Sequence, residues 1–276
     1  MAGPGRSISG VAMQPGSPAG EGSAALAGPG RSGWRRGLTL LALILGTAGL
    51  AASAAGVSAQ LLPRRFTAAQ QQQIMAWEIA ARWRTTPAGK IFPASVAYKL
   101  SSGTFNAGSA LSLTAHLVGI ARQASCQAAG DPAAVAVLSA GSCAAVLRAT
   151  YVDQTDSILV TIGVAVMPTA TAARSAAGQL SARPQPRPGV RAVAFRDTLA
   201  QAFGDHQRQL SWATSAGPYL IMSTVGYADG RPREQMSTDP YASQEMAGLA
   251  SGVASAIGGP LGAPPAPPRC PGGPGC

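Results

Sequence analysis

The sequence predicts an α+β protein: a single transmembrane helix, then a ferredoxin-like (βαββαβ) extracytoplasmic domain with two further strands and a C-terminal helix, between disordered N- and C-terminal tails. Three observations carry this expectation. Residues 38–62 are a run of 25 without a charge. Between positions 111 and 195 the apolar pattern reads strand, helix, strand, strand, helix, strand. At both ends glycine and proline are too dense for regular structure.

With 22 Pro and 34 Gly in 276 residues, a fifth of the chain consists of structure breakers. Only 12% is charged, and small apolar residues raise the hydrophobic fraction to 46%. Neither a highly charged disordered protein nor an ordinary cytosolic enzyme fits that balance. The net charge of +10 divides into +3 over residues 1–36, +4 over 64–90, +1 over 91–180 and +2 over 181–276. Most of it therefore flanks the apolar run, at Arg31, Arg35, Arg36, Arg64, Arg65, Arg82, Arg84 and Lys90. Such side chains suit anionic headgroups. No basic run is interleaved with aromatics that would stack on bases, so no nucleic-acid partner is expected.

Residues 1–36 read as a disordered cytoplasmic tail, since 24 of the first 33 are Gly, Pro, Ala or Ser. Residues 37–62 read as the transmembrane helix: its charge-free part spans about 38 Å at 1.5 Å per residue, more than a hydrocarbon core of about 30 Å. The first half is Leu-rich and the second Ala/Gly/Ser-rich, which leaves a cleaved export signal as the alternative, with Val57-Ser58-Ala59 before Gln60 as its processing site. Either way the remainder lies outside the cytoplasm. All four cysteines, Cys126, Cys143, Cys270 and Cys276, follow the run and are expected to form disulfides in an oxidising compartment. Three connectivities are open, and 126–143 with 270–276 closes the shortest loops.

Residues 63–104 are expected to be a juxtamembrane helix and connector. Thr67 stands three before Gln70 at capping-box spacing, and 68–83 contain no Gly or Pro. Trp77 and Trp83 on that helix either meet the headgroup layer or dock on the domain. Within the extracytoplasmic domain, 105–258, residues 111–122 read as a strand. Asp131-Pro132 starts a helix over 133–140 that Gly141 ends. Residues 145–152 and 157–167 form a hairpin about Asp153-Gln154-Thr155-Asp156. In its second strand Ile158, Val160, Ile162, Val164 and Val166 share one face, and Leu159, Thr161, Gly163 and Ala165 the other. A helix over 169–180, a strand over 190–195, a helix over 197–206, strands over 209–213 and 219–227, and a helix from Asp239-Pro240 to about Ile257 complete the domain. Residues 259–276 read as a Pro/Gly-rich disordered tail.

The chemistry on offer is thin. There is no GxSxG elbow, HExxH helix, Walker loop or GxGxxG turn. His116 and His206 are the only histidines. Asp205 and His206 are adjacent and point apart, and Asp153 and Asp156 are explained by their turn. No catalytic, cofactor or metal residues are assigned, and the chain is expected not to be an enzyme. Arg231 and Arg233, in a polar loop, and Trp77 and Trp83 are the partner-binding candidates.

No motif identifies a family. The layout resembles exported domains of GC-rich bacteria, including the extracytoplasmic sensor domains of membrane kinases, in layout and composition only. Thirty-six residues before the span cannot hold a kinase. The expected function is a single-pass, membrane-anchored bacterial envelope protein with a non-catalytic domain that binds an envelope protein or cell-wall component. An exported small-molecule or lipid-binding sensor-like module is the alternative, with the small-residue faces lining its cavity.

Overall fold

A computed structural model describes residues 66–100, 111–233 and 240–266. The expected transmembrane helix at 37–62, the N-terminal tail, and residues 267–276 of the C-terminal tail with Cys270 and Cys276 lie outside them. Among the described residues no helix is long and apolar enough to cross a membrane.

Helix α1 (Ala68–Thr85) begins at the expected capping box: Gln70 N–H donates to the Thr67 hydroxyl, and Thr67 N–H to the Gln70 carboxamide oxygen. A single turn, α2 (Ala88–Ile91), leads into β1 (Ser95–Leu100), and β2 (Leu111–Ile120) follows. Two short helices, α3 (Cys126–Ala129) and α4 (Pro132–Ala140), are capped by Ser125 and Asp131. The hairpin of β3 (Ala145–Asp153) and β4 (Ile158–Val166) then leads to α5 (Ala170–Ser181), capped by Thr169. A second hairpin, β5 (Leu210–Ala216) and β6 (Tyr219–Tyr227), turns at Gly217-Pro218 with Gly217 at φ +57°. The long helix α6 (Pro240–Gly262) ends the described chain.

The strands form one antiparallel sheet in the order β1-β2-β3-β4-β6-β5. It curls around α6, which touches β1 and β5, the two edge strands, as well as β4 and β6. Close approach is possible because Gly252 of α6 has no side chain: a Cβ there would lie 2.4 Å from Cβ of Tyr98. Ile158, Val160, Ile162, Val164 and Val166 bury themselves on this side against Leu249, Val253, Ile257 and Leu261. The alternation expected for this strand holds, and α3, α4 and α5 cover the opposite side, around Ala165, Val146 and Leu138.

The ferredoxin-like arrangement does not hold. The six strands lie in one sheet in which every neighbouring pair is antiparallel, and helices cover both faces. Ser95–Leu100, read as connector, is an edge strand whose Val96 and Tyr98 are buried. The expected strand at 190–195 is an extended strap lying across the sheet. Both sides of β4 are already taken by β3 and β6, so its backbone bonds to side chains instead. Residues Gly119, Thr150, Thr161, Thr224 and Ser211 stand in register as one row crossing β2, β3, β4, β6 and β5. Thr150 donates to the Val193 carbonyl (2.8 Å), Val193 N–H donates to the Thr161 hydroxyl (3.0 Å), and the two threonine oxygens are 2.8 Å apart. Thr224 donates to the Val190 carbonyl (2.5 Å). Val190 fills the space a side chain at Gly163 would need, and Phe195 that at Gly119. Crossing four strand spacings of about 4.8 Å needs about 19 Å, which the six steps of about 3.3 Å from Gly189, over Ser211, to Phe195, over Gly119, supply.

Two further expectations change. Residues 197–206 form turns, with a 3-10 turn at Asp205–Gln207, because Thr198 bonds back to the Phe195 carbonyl and Gly204 to Gln207. The last helix runs on past Ile257 through Gly258, Gly259 and Pro260. Packing overrides propensity there: a Cβ on Gly262 would lie 2.6 Å from the Ala216 carbonyl carbon, and Arg82 donates to the carbonyls of Pro260, Leu261 and Ala263.

Candidate functional site

Where the strap leaves α5, a cleft of about 390 Å³ is lined by Asp131, Pro132, Pro186, Asp205, His206, Arg208 and Arg233. Its floor is an ionic cluster. Arg208, 8% exposed, donates from Nη1 to Asp131 Oδ2 (2.5 Å) and from Nη2 to Asp205 Oδ1 (3.1 Å) and the Val190 carbonyl (3.2 Å). Asp131 also caps α4 through Ala134 N–H and accepts from Gly189 N–H. Asp205 accepts from Ala192 N–H. The carboxylates thus fasten the strap to α4 and β5. Removing one partner of such a pair would leave an uncompensated buried charge. Asp205 and His206 line the cleft together, with the aspartate already committed to Arg208.

Arg233 is one of the residues lining this cleft, whereas Arg231 lines a second depression of about 490 Å³ together with Asp229, Gly230 and Pro232. Arg231 is partly exposed, bonds Asp229 and stacks 4.4 Å over the Tyr227 ring. The same guanidinium, by direct hydrogen bonding, holds the Asp229 carboxyl below the usual carboxylate range. Arg233 donates to the Gln185 carbonyl (3.2 Å), and Gln185 in turn pairs its carboxamide with both backbone groups of Ser211. That amide occupies the outer edge of β5 as a neighbouring strand would.

The two tryptophans separate. Trp83 packs against the core, and its backbone N–H donates to the Tyr219 hydroxyl, which donates to the Ile79 carbonyl (2.5 Å). Burial pushes the Tyr219 phenol up. Trp77 is 71% exposed. Ile79 and Arg82, which face the domain, lie about 200° and 140° around the helix from it, so Trp77 points away from the fold.

Cys126 and Cys143 form a disulfide (Cα to Cα 6.2 Å) that ties α3 to the start of β3. Asp153 is buried, and its carboxylate accepts the backbone N–H groups of Thr155, Ser157 and Ile158, besides the Thr155 hydroxyl. Its turn consumes it. His116 stands exposed on β2. Among the described residues no group of three or more His, Cys, Asp or Glu is placed to hold a metal ion.

Sequence reasoning did not find the Arg208 cluster or the hydroxyl row. Asp131 was legible as a helix cap and not as an ion-pair partner 77 positions from Arg208, since that link exists only once the strap is in place. No known protein family, curated protein or solved structure matches the chain.

Proposed function

We propose that this chain is a single-pass membrane-anchored envelope protein whose C-terminal domain, outside the cytoplasm, binds an envelope protein or cell-wall component without catalysing a reaction. Trp77 carries the reading. An indole 71% exposed on the outward face of a helix is apolar surface left for something else to cover, and aromatic side chains with arginines dominate the energetics of binding surfaces. The partly exposed Arg231, held rigid on Tyr227, and the exposed Arg233 offer polar anchors of the same kind. The charge-free run at 38–62 and the cysteines confined to its C-terminal side support the anchor and its orientation.

Enclosure of a small molecule under the helices is less well supported. The small residues that would line such a cavity are in contact: a Cβ on Gly163 would lie 2.7 Å from Val190 Cγ2, and one on Gly119 2.5 Å from the Phe195 ring.

The test is a photo-activated crosslinker placed in the full chain in cells at position 77, at 231, or at the exposed Arg174 of α5. A discrete envelope adduct is expected from 77 and 231 and not from 174, with its yield at 77 reduced by changing Arg231 and Arg233 together. Equal labelling at all three positions, or lipid adducts alone, overturns partner binding. Recovery of a soluble chain beginning near Gln60 overturns the anchor.

A further inference from the structure

Among the described residues the ion pairs involve Arg82, Arg191, Arg208 and Arg231. Arg183, Arg187 and Arg233 enter none of them, yet they meet at one turn. Arg187 Nε donates to the Arg183 carbonyl (3.0 Å), and Nη2 of Arg233, which follows β6, donates to the Gln185 carbonyl (3.2 Å). Two residues of chain span at most about 7 Å, so these two carbonyls hold both guanidinium groups to a single small patch. Arg183 stands exposed on the same turn.

The turn is fixed before any partner arrives. Pro184, Pro186 and Pro188 alternate through it, each with its φ locked. The Gln185 carboxamide fastens it to the backbone of Ser211 on β5 and accepts Arg187 N–H (3.2 Å). Each arginine head has one N–H group on a carbonyl, which sets its direction without neutralising it, and its other N–H groups remain. The carboxylates of the adjoining cleft do not answer that charge. Pro186 and Arg233 line the cleft with Asp131 and Asp205. Both aspartates bond the buried Arg208, and Asp205 also stands 4.0 Å from Arg191 Nε.

We propose that the turn at 183–187, with Arg233, binds an acidic segment of the protein partner. One guanidinium fork satisfies one carboxylate. The two heads sit on different carbonyls, so they fit carboxylates carried at separate positions along a chain. In an extended chain alternate side chains share one face about 6.6 Å apart, a repeat on the scale of the two-residue carbonyl spacing. This deepens the partner-binding reading and rests on it: Arg233 acquires Arg187 as its companion, and the partner acquires a chemical class.

The experiment is fluorescence anisotropy with the full chain in detergent. The probe is a labelled peptide of alternating Glu and Ser, the comparison its Gln and Ser counterpart, and inorganic polyphosphate the second arm. Saturable binding of the Glu peptide alone is expected, weakening as salt is raised. Arg187→Gln and Arg233→Gln should each weaken it about three- to fivefold, the loss of one exposed ion pair, while Arg174→Gln on α5 leaves it unchanged. Tm should stay at the native value in all three. If Tm falls, Arg183→Gln takes the place of that variant, since the Arg183 guanidinium makes no hydrogen bond among the described residues, and it should weaken binding likewise. Absence of saturable binding, or an equal loss in Arg174→Gln, overturns the proposal. Polyphosphate bound more tightly than the Glu peptide, and lost in the same variants, overturns it in favour of a phosphate polymer. A crosslinked adduct at position 77 in cells without peptide binding overturns this inference alone, whereas no adduct at 77 or 231 overturns the partner-binding reading beneath it.

Discussion

On one side of β4, Ile158, Val160, Ile162, Val164 and Val166 meet the apolar face of a single helix, α6. On the other, Leu159, Thr161, Gly163 and Ala165 meet helices α3 to α5 and a strap with no regular structure. A helix brings its own backbone hydrogen bonds satisfied, so the face beneath it needs only volume and fit. An extended chain laid flat on a sheet brings unpaired N–H and C=O groups, and the face beneath it must answer them. The row of Thr150, Thr161 and Thr224 does so. Burial thus demands different residues on the two sides of one strand, according to what lies above.

Adjacent positions on β4 test this directly. Ile162→Ala, on the helix side, should cost the most, about 3 to 4 kcal/mol, because it removes three buried carbons from a fully packed site. Chemical denaturation measures it. Next, replacing Cys126 and Cys143 together with Ala opens a loop with a sequence separation of 17 and should cost roughly 3 kcal/mol. Hydrogen exchange should then show protection lost first in α3 and α4 while α6 stays protected. A loss spread evenly over both sides would mean that the two faces are not separable units.

Thr161→Val keeps the volume and removes the hydroxyl that Val193 N–H and Thr150 use. It should cost about 1 to 3 kcal/mol as an unsatisfied buried group. A cost below about 0.5 kcal/mol, as at an ordinary surface site, would break the account of the strap.

The smallest effect belongs to Glu245 on α6, whose carboxyl is pushed up from its ordinary 4.5 by burial and then by the charge of Asp153. The folded chain therefore holds this proton more tightly than the unfolded chain does. The associated stability is present below the ordinary value and is lost as pH rises through the raised one. Glu245→Gln should accordingly be neutral in acid and mildly stabilising at pH 7, visible as a flatter dependence of Tm on pH. A lower Tm at pH 7 would contradict it.

What could be read in the sequence was local. The Thr67 box, the Asp131-Pro132 start and the turn at Asp153 are each decided within five residues, and all were legible. The alternation of β4 showed two different faces without showing what covers them. Residues 190–195 were misread for the same reason: an extended apolar segment has one pattern whether it lies within a sheet or across it. Ser95–Leu100 was missed because its alternation lasts six residues and includes Lys99. The helical end at 258–262 depends on Arg82, 178 positions from Pro260, and on the packing of Gly262 against Ala216. Arg208 was beyond reach, since its neighbours come from elements far apart in the chain.

The strap also has a kinetic meaning. Its seat comprises residues from β2, β3, β4, β6 and β5, so no part of the chain offers a complete seat until both hairpins and their partner strands have come together. Contacts that depend on so many distant segments form late, because their loop closures must be made before the contacts reward them. Docking of residues 189–195 therefore marks the finished domain. In a destabilised variant the same stretch, with its arginine-rich flanks at 183–196, should be the first place a protease finds.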